Sequence, residues 1–262
     1  SISVYRQDVS YTISNLITEQ IYYVRTFLIN STGTFYGNEI SFTTPEGENP
    51  IFLDENGVTI KAKDWAEFGM VGKINNELYT IIDEAGLKFK FQNNLDVTKF
   101  VTTLVTNLFW GFSSGNNVES FNQDISSWDV SNVTNMACLF CGSNFNQDIS
   151  SWDVSNVTDI RNLFGGSNFN QDIGNWDVSS VTDMGGMFSN STFNQDIGNW
   201  DVSSVTNMGN MFSLTSTSNL NIGNWDVSNV VNMKQMFYNS NFNQDIGNWD
   251  VSSVTNMGNM FY

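Results

Sequence analysis

From residue 121 onward the apolar positions of the chain fall into one recurring pattern. In the first copy Phe121, Ile125, Trp128, Val130, Val133, Met136 and Phe140 are apolar, and Asn, Asp, Ser and Thr fill most places between. Trp128, Trp152, Trp176, Trp200, Trp225 and Trp249 mark successive copies at steps of 24, 24, 24, 25 and 24 residues. A fixed period of this size predicts stacked repeats, each burying its apolar side only against its neighbours. The spacing apolar-x-x-apolar-x-apolar-x-x-apolar matches the leucine-rich-repeat template, with a short strand over 127–130. Ser131 stands where a helix N-cap would, and Val133, Met136 and Phe140 share one helical face. The expected fold class is a leucine-rich-repeat-like repeat solenoid, a short strand plus a short helix in each 24-residue repeat.

Ahead of the repeats the pattern changes. Pro45 and Pro50 bracket Glu46-Gly-Glu-Asn49, which reads as a linker over 46–50. Residues 1–45 show alternating strands separated by the Asn30-Ser-Thr-Gly33 turn, as at the edge of a β-sandwich. Leu16, Tyr22, Val24, the Gly33-x-x-x-Gly37 spacing and Ser41-Phe-Thr-Thr44 resemble the last three strands of a fibronectin type III domain. The resemblance implies that Tyr22 is a tyrosine-corner residue. Residues 51–99 read as a small α+β cap that shields the open end of the stack. Within it Asn56-Gly57 predicts a hairpin turn, Asp64–Gly69 one helical turn, 78–82 a strand and 83–90 a short helix or turn. Residues 100–262 form the array, a degenerate turn followed by six repeats, the last truncated. The fifth departs at Ser218-Asn-Leu-Asn-Ile222, with one extra residue before it.

Composition narrows the function classes. There are 10 basic and 27 acidic side chains, a net charge of −17, and no histidine. From Ser113 onward 14 acids face only Arg161 and Lys234, which leaves −12 on the repeats. Such a surface repels nucleic acid and anionic lipid, and neither is expected as a partner. Without histidine the commonest general base and metal ligand is missing. No run of about 20 apolar residues is present to span a membrane, and no signal-peptide pattern opens the chain. Both ends read as cut from a longer polypeptide.

The candidate chemistry lies in two rows of aspartates. Asp129, Asp153, Asp177, Asp201, Asp226 and Asp250 each follow a repeat tryptophan and precede a serine by two places. Stacked in register, such carboxylates would lie about 4.8 Å apart and repel their neighbours by roughly 1 kcal/mol even in water. A second row, Asp124, Asp148, Asp172, Asp196 and Asp245, sits five residues earlier and breaks at Asn221. Three readings stand open: each Asp caps its own chain corner, the rows are calcium ligands, or they meet a cationic partner. The calcium-solenoid signature Gly-Gly-x-Gly-x-Asp is absent. Cys138 and Cys141 form a Cys-x-x-Cys without a thioredoxin-like setting or further zinc ligands, so free thiols or a local disulfide are expected. The paired methionines and the tryptophans read as core. Specificity would have to reside in the variable slots, Arg161-Asn162, Lys234-Gln235, Ser189–Thr192 and Ser213–Thr217.

The unit Phe193-Asn-Gln-Asp-Ile-Gly-Asn-Trp-Asp-Val-Ser-Ser-Val-Thr-Asn-Met-Gly-Asn-Met-Phe212 resembles the repeat of BspA-like leucine-rich-repeat bacterial surface proteins. The lead-in Leu53-Asp-Glu-Asn-Gly-Val-Thr-Ile-Lys-Ala62 is similar to the segment that often precedes those repeats. The resemblance implies an extracellular or cell-surface adhesion protein, often exported by type IX secretion and often carrying fibronectin-type modules, with no catalytic residue to transfer. The expected partner is a protein or glycan on a host, neighbouring cell or surface. A passive stalk or self-associating filament component, with calcium as its one candidate cofactor, is the alternative. Glycoside hydrolysis by paired carboxylates and binding of ice or crystalline polysaccharide are weaker readings.

Overall fold

The computed structural model describes Ile13, Leu16 and residues 20–43, 47–109, 121–216 and 220–262. Most of the first 19 residues, Trp110 to Phe112 of the degenerate turn, and Thr217 to Asn219 of the fifth-repeat departure lie outside the described residues. Two strands come first, β1 (Ile21–Asn30) and β2 (Gly33–Thr43), paired antiparallel from Ile21↔Thr43 to Asn30↔Gly33 with a bulge between Arg25 and Phe27. Asn30 makes the connecting turn, its Oδ1 accepting the Thr32 N–H at 2.9 Å while Gly33 takes φ 142°. Tyr22 stacks on Phe42 at 5.9 Å. Among the described residues no third strand joins this pair, and the rest of the sandwich segment expected over 1–45 lies outside them.

Next come β3 (Ile51–Leu53) and β4 (Ile60–Ala62), an antiparallel pair, then a sheet of β5 (Val71–Ile74), β6 (Glu77–Ile81) and β7 (Phe100–Val101). β5 and β6 are antiparallel, whereas β6 and β7 run parallel because helix α1 (Glu84–Gln92) crosses between them. The β3–β4 turn forms because Asn56 Oδ1 accepts the N–H groups of Val58 and Thr59 and Gly57 adopts φ 71°. Asp83 caps α1 through the Gly86 N–H at 2.8 Å. Residues 64–69, expected as a helical turn, form plain turns ending at Gly69. This region docks on the first repeat: the Ile60 N–H donates to the Ser127 carbonyl, the Thr102 hydroxyl to the Asp129 carbonyl and the Trp128 indole to the Val97 carbonyl.

The repeats overturn the fold class that the pattern predicts. Regular structure among the described residues amounts to small, mainly antiparallel sheets and one nine-residue helix, all of it before residue 102. No repeat contains a helix, and a strand-plus-helix, leucine-rich-repeat-like solenoid is not formed. The cause lies in where the backbone N–H groups go. Those of Met136, Cys138, Phe140 and Gly142 donate to the Asp159, Arg161, Leu163 and Gly165 carbonyls, one repeat on. Those of Leu139, Cys141 and Ser143 turn back three residues, to Met136, Cys138 and Phe140. No donor is left for the bond to the fourth preceding carbonyl that defines an α-helix. Two left-handed residues per repeat make the alternation: Cys138, Asn162, Gly186, Asn210, Gln235 and Asn259 hold φ 52–67°, and Gly142, Gly166, Asn190, Leu214 and Asn239 hold φ 49–67°. Side chains with a Cβ resist that conformation, and glycine and asparagine tolerate it best. Strand pairing between described copies is limited to one isolated parallel bridge each, Asn107↔Asn135, Asn135↔Asp159 and onward to Asn232↔Asn256.

Inside, the same side chains meet in columns. Phe140, Phe164, Phe188, Phe212, Phe237 and Phe261 stack at 5.7, 5.9, 5.7, 5.8 and 5.4 Å between centroids. A second column, Phe121, Phe145, Phe169 and Phe193, runs beside it. Leu220 takes that place in the fifth repeat and is buried. Each indole is both buried and satisfied, for Trp152, Trp176, Trp200, Trp225 and Trp249 donate Nε1–H to the carbonyls of Ile125, Ile149, Ile173, Ile197 and Ile222 one repeat back. Ring stacking and burial supply the energy, while the indole bond fixes the register.

Two stability outcomes follow. Trp200→Phe removes one of the two N–H donors on the Ile173 carbonyl, which keeps that of Trp176, and opens a void, which should cost about 1–3 kcal/mol, read as a lower urea midpoint. Leu214 is a bulky residue at φ 59° and half exposed, so Leu214→Gly relieves backbone strain and should stabilise by about 0.5–1 kcal/mol. A lower melting midpoint in that variant would contradict the strain argument.

Candidate functional site

The first aspartate row builds corners. One carboxylate oxygen of Asp129, Asp153, Asp177, Asp201, Asp226 and Asp250 accepts the backbone N–H of the serine two residues on, at 3.0–3.2 Å. In the first four the serine hydroxyl donates to the same oxygen at 2.6 Å. These bonds hold the Asp201, Asp226 and Asp250 carboxyls below their ordinary 3.8. Repulsion from Asp226 is the smallest influence on Asp201, so the serine bonds outweigh the charge row that would otherwise need explaining. All but Asp129 are exposed.

Asp129 is 2 % exposed, and its second oxygen has no hydrogen-bond partner. The region before the repeats covers it. Lys61, paired with Asp54 at 2.9 Å, is the nearby counter-charge: the bond to Asp54 raises its pKa, and attraction from Asp129 and Asp153 adds to the rise.

The second row repeats the device. Asp124, Asp148, Asp172, Asp196 and Asp245 each accept the N–H two residues on, from Ser126, Ser150, Gly174, Gly198 and Gly247, at 2.8–3.0 Å. Glycine appears in the later copies because a Cβ on Gly198 would collide with the Asn221 carbonyl oxygen of the next repeat. The eleven aspartates are thus spread along two edges. Among the described residues no three Asp, Glu or Cys side chains converge in a way that could hold a metal ion.

Sequence reasoning missed a third row, Asn135, Asp159, Asp183, Asn207, Asn232 and Asn256. Its signal was present, since the slot between Thr or Val and Met or Ile is always Asn or Asp. Each of these side chains accepts the N–H two residues on, at 2.9–3.3 Å. Amides also link copies: Asn232 Nδ2 donates to Asn207 at 2.8 Å and Asn207 Nδ2 to Asp183 at 2.9 Å. Asp159 and Asp183 are neighbours that both lack an amide donor, and Arg161 stands between them. Its Nη2 lies 2.7 Å from Asp159 and its Nε 3.6 Å from Asp183.

Beside this row is a hollow of about 330 Å³ lined by Arg161, Asn162, Ser189, Asn207, Asn210 and Asn232, with Gly185, Gly186 and Gly209 in its floor. Two of the variable slots named from sequence meet here, Arg161-Asn162 and Ser189, and Asn210, which sequence reasoning did not single out, joins them one copy further. Lys234-Gln235 is not part of it. The lining is amide, hydroxyl and one guanidinium whose charge two aspartates already balance. It suits hydrogen bonding to a neutral polar ligand rather than proton transfer. Cys138 and Cys141, open between two readings in sequence, are joined in a disulfide.

Corner-forming Asx rows, alternating turns and aromatic columns define a class of stacked, turn-built repeat protein. The chain belongs to the family described as "Mycoplasma protein of unknown function, DUF285", whose model matches residues 80–192 and 165–262, well over half of the sequence. No curated protein and no solved structure matches it.

The lowered carboxyls carry a pH dependence. Unfolded Asp201 binds its proton near 3.8 and folded Asp201 only at lower pH, so the stability it contributes is complete above that value and disappears as pH falls through the lowered one. Ser203→Ala removes a donor to Asp201, so the stability gap between parent and variant should be widest near neutrality and close as pH falls below 3.8. Urea titrations at stepped pH check this; a gap that stays constant in acid would refute it.

Proposed function

We propose that this chain is a non-enzymatic binding segment of a larger surface protein, with the repeat stack as a rigid support and the Arg161–Asn210 hollow as its contact point. The observation that carries the reading is that two of the variable slots, Arg161-Asn162 and Ser189, meet at one polar hollow on a stack whose core and corner slots barely change. The aspartates support it from the other side. Ten of the eleven are exposed and all are taken up in corners, whereas acid–base catalysis needs two carboxyls pushed apart in pKa within one site. The resemblance to BspA-like surface proteins and the disulfide, a bond that persists in oxidising compartments, support an extracellular or cell-surface location. A neutral glycan or the polar face of a protein fits the lining.

A glycan array and a panel of cells probed with the full chain, with calcium and with EDTA, test the reading. Retained ligands should be lost at least tenfold in Arg161→Ala/Asn210→Gly, in which glycine keeps the left-handed turn and the melting midpoint stays close to the parent's. Binding that survives this double change moves the contact elsewhere. No binding together with concentration-dependent self-association would favour a stalk. Calcium-dependent retention, or a midpoint that rises and saturates with calcium, would return the aspartate rows to metal ligation.

A further inference from the structure

We propose that the Cys138–Cys141 disulfide is a thiol–disulfide exchange site that opens and recloses while the repeat stack stays folded. The bridge closes a turn that the other repeats close without sulfur. The Cys141 N–H turns back to the Cys138 carbonyl, as Gly165 does to Asn162, Ser189 to Gly186, Ser213 to Asn210 and Tyr238 to Gln235. Cys138 at φ 58° shares its backbone conformation with Asn162, Gly186, Asn210 and Gln235 at 52–67°. Its N–H donates to the Arg161 carbonyl at 2.7 Å, the same cross-repeat bond that Asn162, Gly186 and Asn210 make at 2.8–2.9 Å. The fold therefore supplies the turn whether or not the sulfurs are joined.

Burial points the same way. Leu139 and Phe140, between the cysteines, are 0 % exposed and carry the core contacts. Cys138 and Cys141 are only half-buried on the turn side, where the matching Asn162 and Asn210 are exposed. Opening the bridge uncovers no apolar column, and an incoming thiolate reaches the sulfurs without unfolding. A span of three residues restrains the unfolded chain little.

The chemistry is ordinary exchange. The thiolate of a small thiol attacks one sulfur, the S–S electron pair leaves on the other, and that thiolate takes a proton. A second small thiol attacks the mixed disulfide, leaving two cysteine thiols and one small disulfide. Two electrons pass from the small thiols to the bridge. In the reverse direction the second cysteine, with Cα atoms 4.8 Å apart, displaces the small thiol and closes the bridge again.

The full chain is incubated without denaturant in buffers of reduced and oxidised glutathione, quenched, alkylated and weighed by mass spectrometry, with tryptophan emission followed in parallel. The expected result is reversible conversion to the dithiol with native emission throughout and a midpoint lowered by less than about 8 °C. Cys141→Ser should accumulate one glutathione on Cys138. Cys138→Asn/Cys141→Gly, which writes the second repeat's residues into the first, should melt within the same margin. Alkylation that appears only once the emission is lost, or collapse of the double variant, would make the bridge a structural staple and overturn the proposal.

Discussion

The structure depends on backbone hydrogen bonds made between copies rather than within them. At alternate residues after each bridge the N–H group faces the next repeat, and the residues between fold back three places. That alternation needs two left-handed positions per copy, and the chain places Asn or Gly at most of them. The period of the sequence is the period of this bonding, because copies of nearly equal length bring each N–H opposite its carbonyl. The fifth copy, one residue longer, keeps the bonds on both sides, with Phe212 N–H on the Met236 carbonyl and Leu214 N–H on that of Tyr238.

Side chains exploit this register. Identical rings arrive above one another, so two phenylalanine columns form, and the indoles from Trp152 onward each reach an isoleucine carbonyl one copy back. The polar rows obey the same geometry with a different outcome. A carboxylate that caps its own corner is held by two donors at hydrogen-bond distance, worth more than repulsion from a neighbour through solvent. The acidic surface is then a by-product of corner building. Where two acids fall together, at Asp159 and Asp183, an arginine stands between them. Where one is buried, at Asp129, a lysine of the preceding region is close by.

A stack of this kind holds its backbone rigidly and leaves identity to a few slots. Slots that repeat unchanged cannot discriminate a ligand, so the proposed contact rests where the copies differ. Two exceptions to the repeat stand out on the turn side, the arginine at the mouth of the polar hollow and the disulfide one copy earlier. Neither is required by the backbone, since other copies form the same turns without them.

The sequence alone determined the period, the inward residues and the corner role of aspartate as one of three readings, because each depends on residue type and spacing along the chain. It also located the Asn56-Gly57 turn and the helix capped by Asp83, whose bonds are local. The path of the backbone within a repeat was decided only by the tertiary structure. Val133, Met136 and Phe140 have the spacing of a helical face, yet the same three side chains point inward from a run of alternating turns. The discriminating sign was the Asn or Gly at the left-handed slots, where a helix would prefer other residues. Local propensity reads about four residues ahead, whereas the acceptors that decided between helix and turn lie one repeat away. The same distance hid the asparagine ladder, the burial of Asp129 and the meeting of Arg161 with Asp183, since each exists only once the copies are stacked.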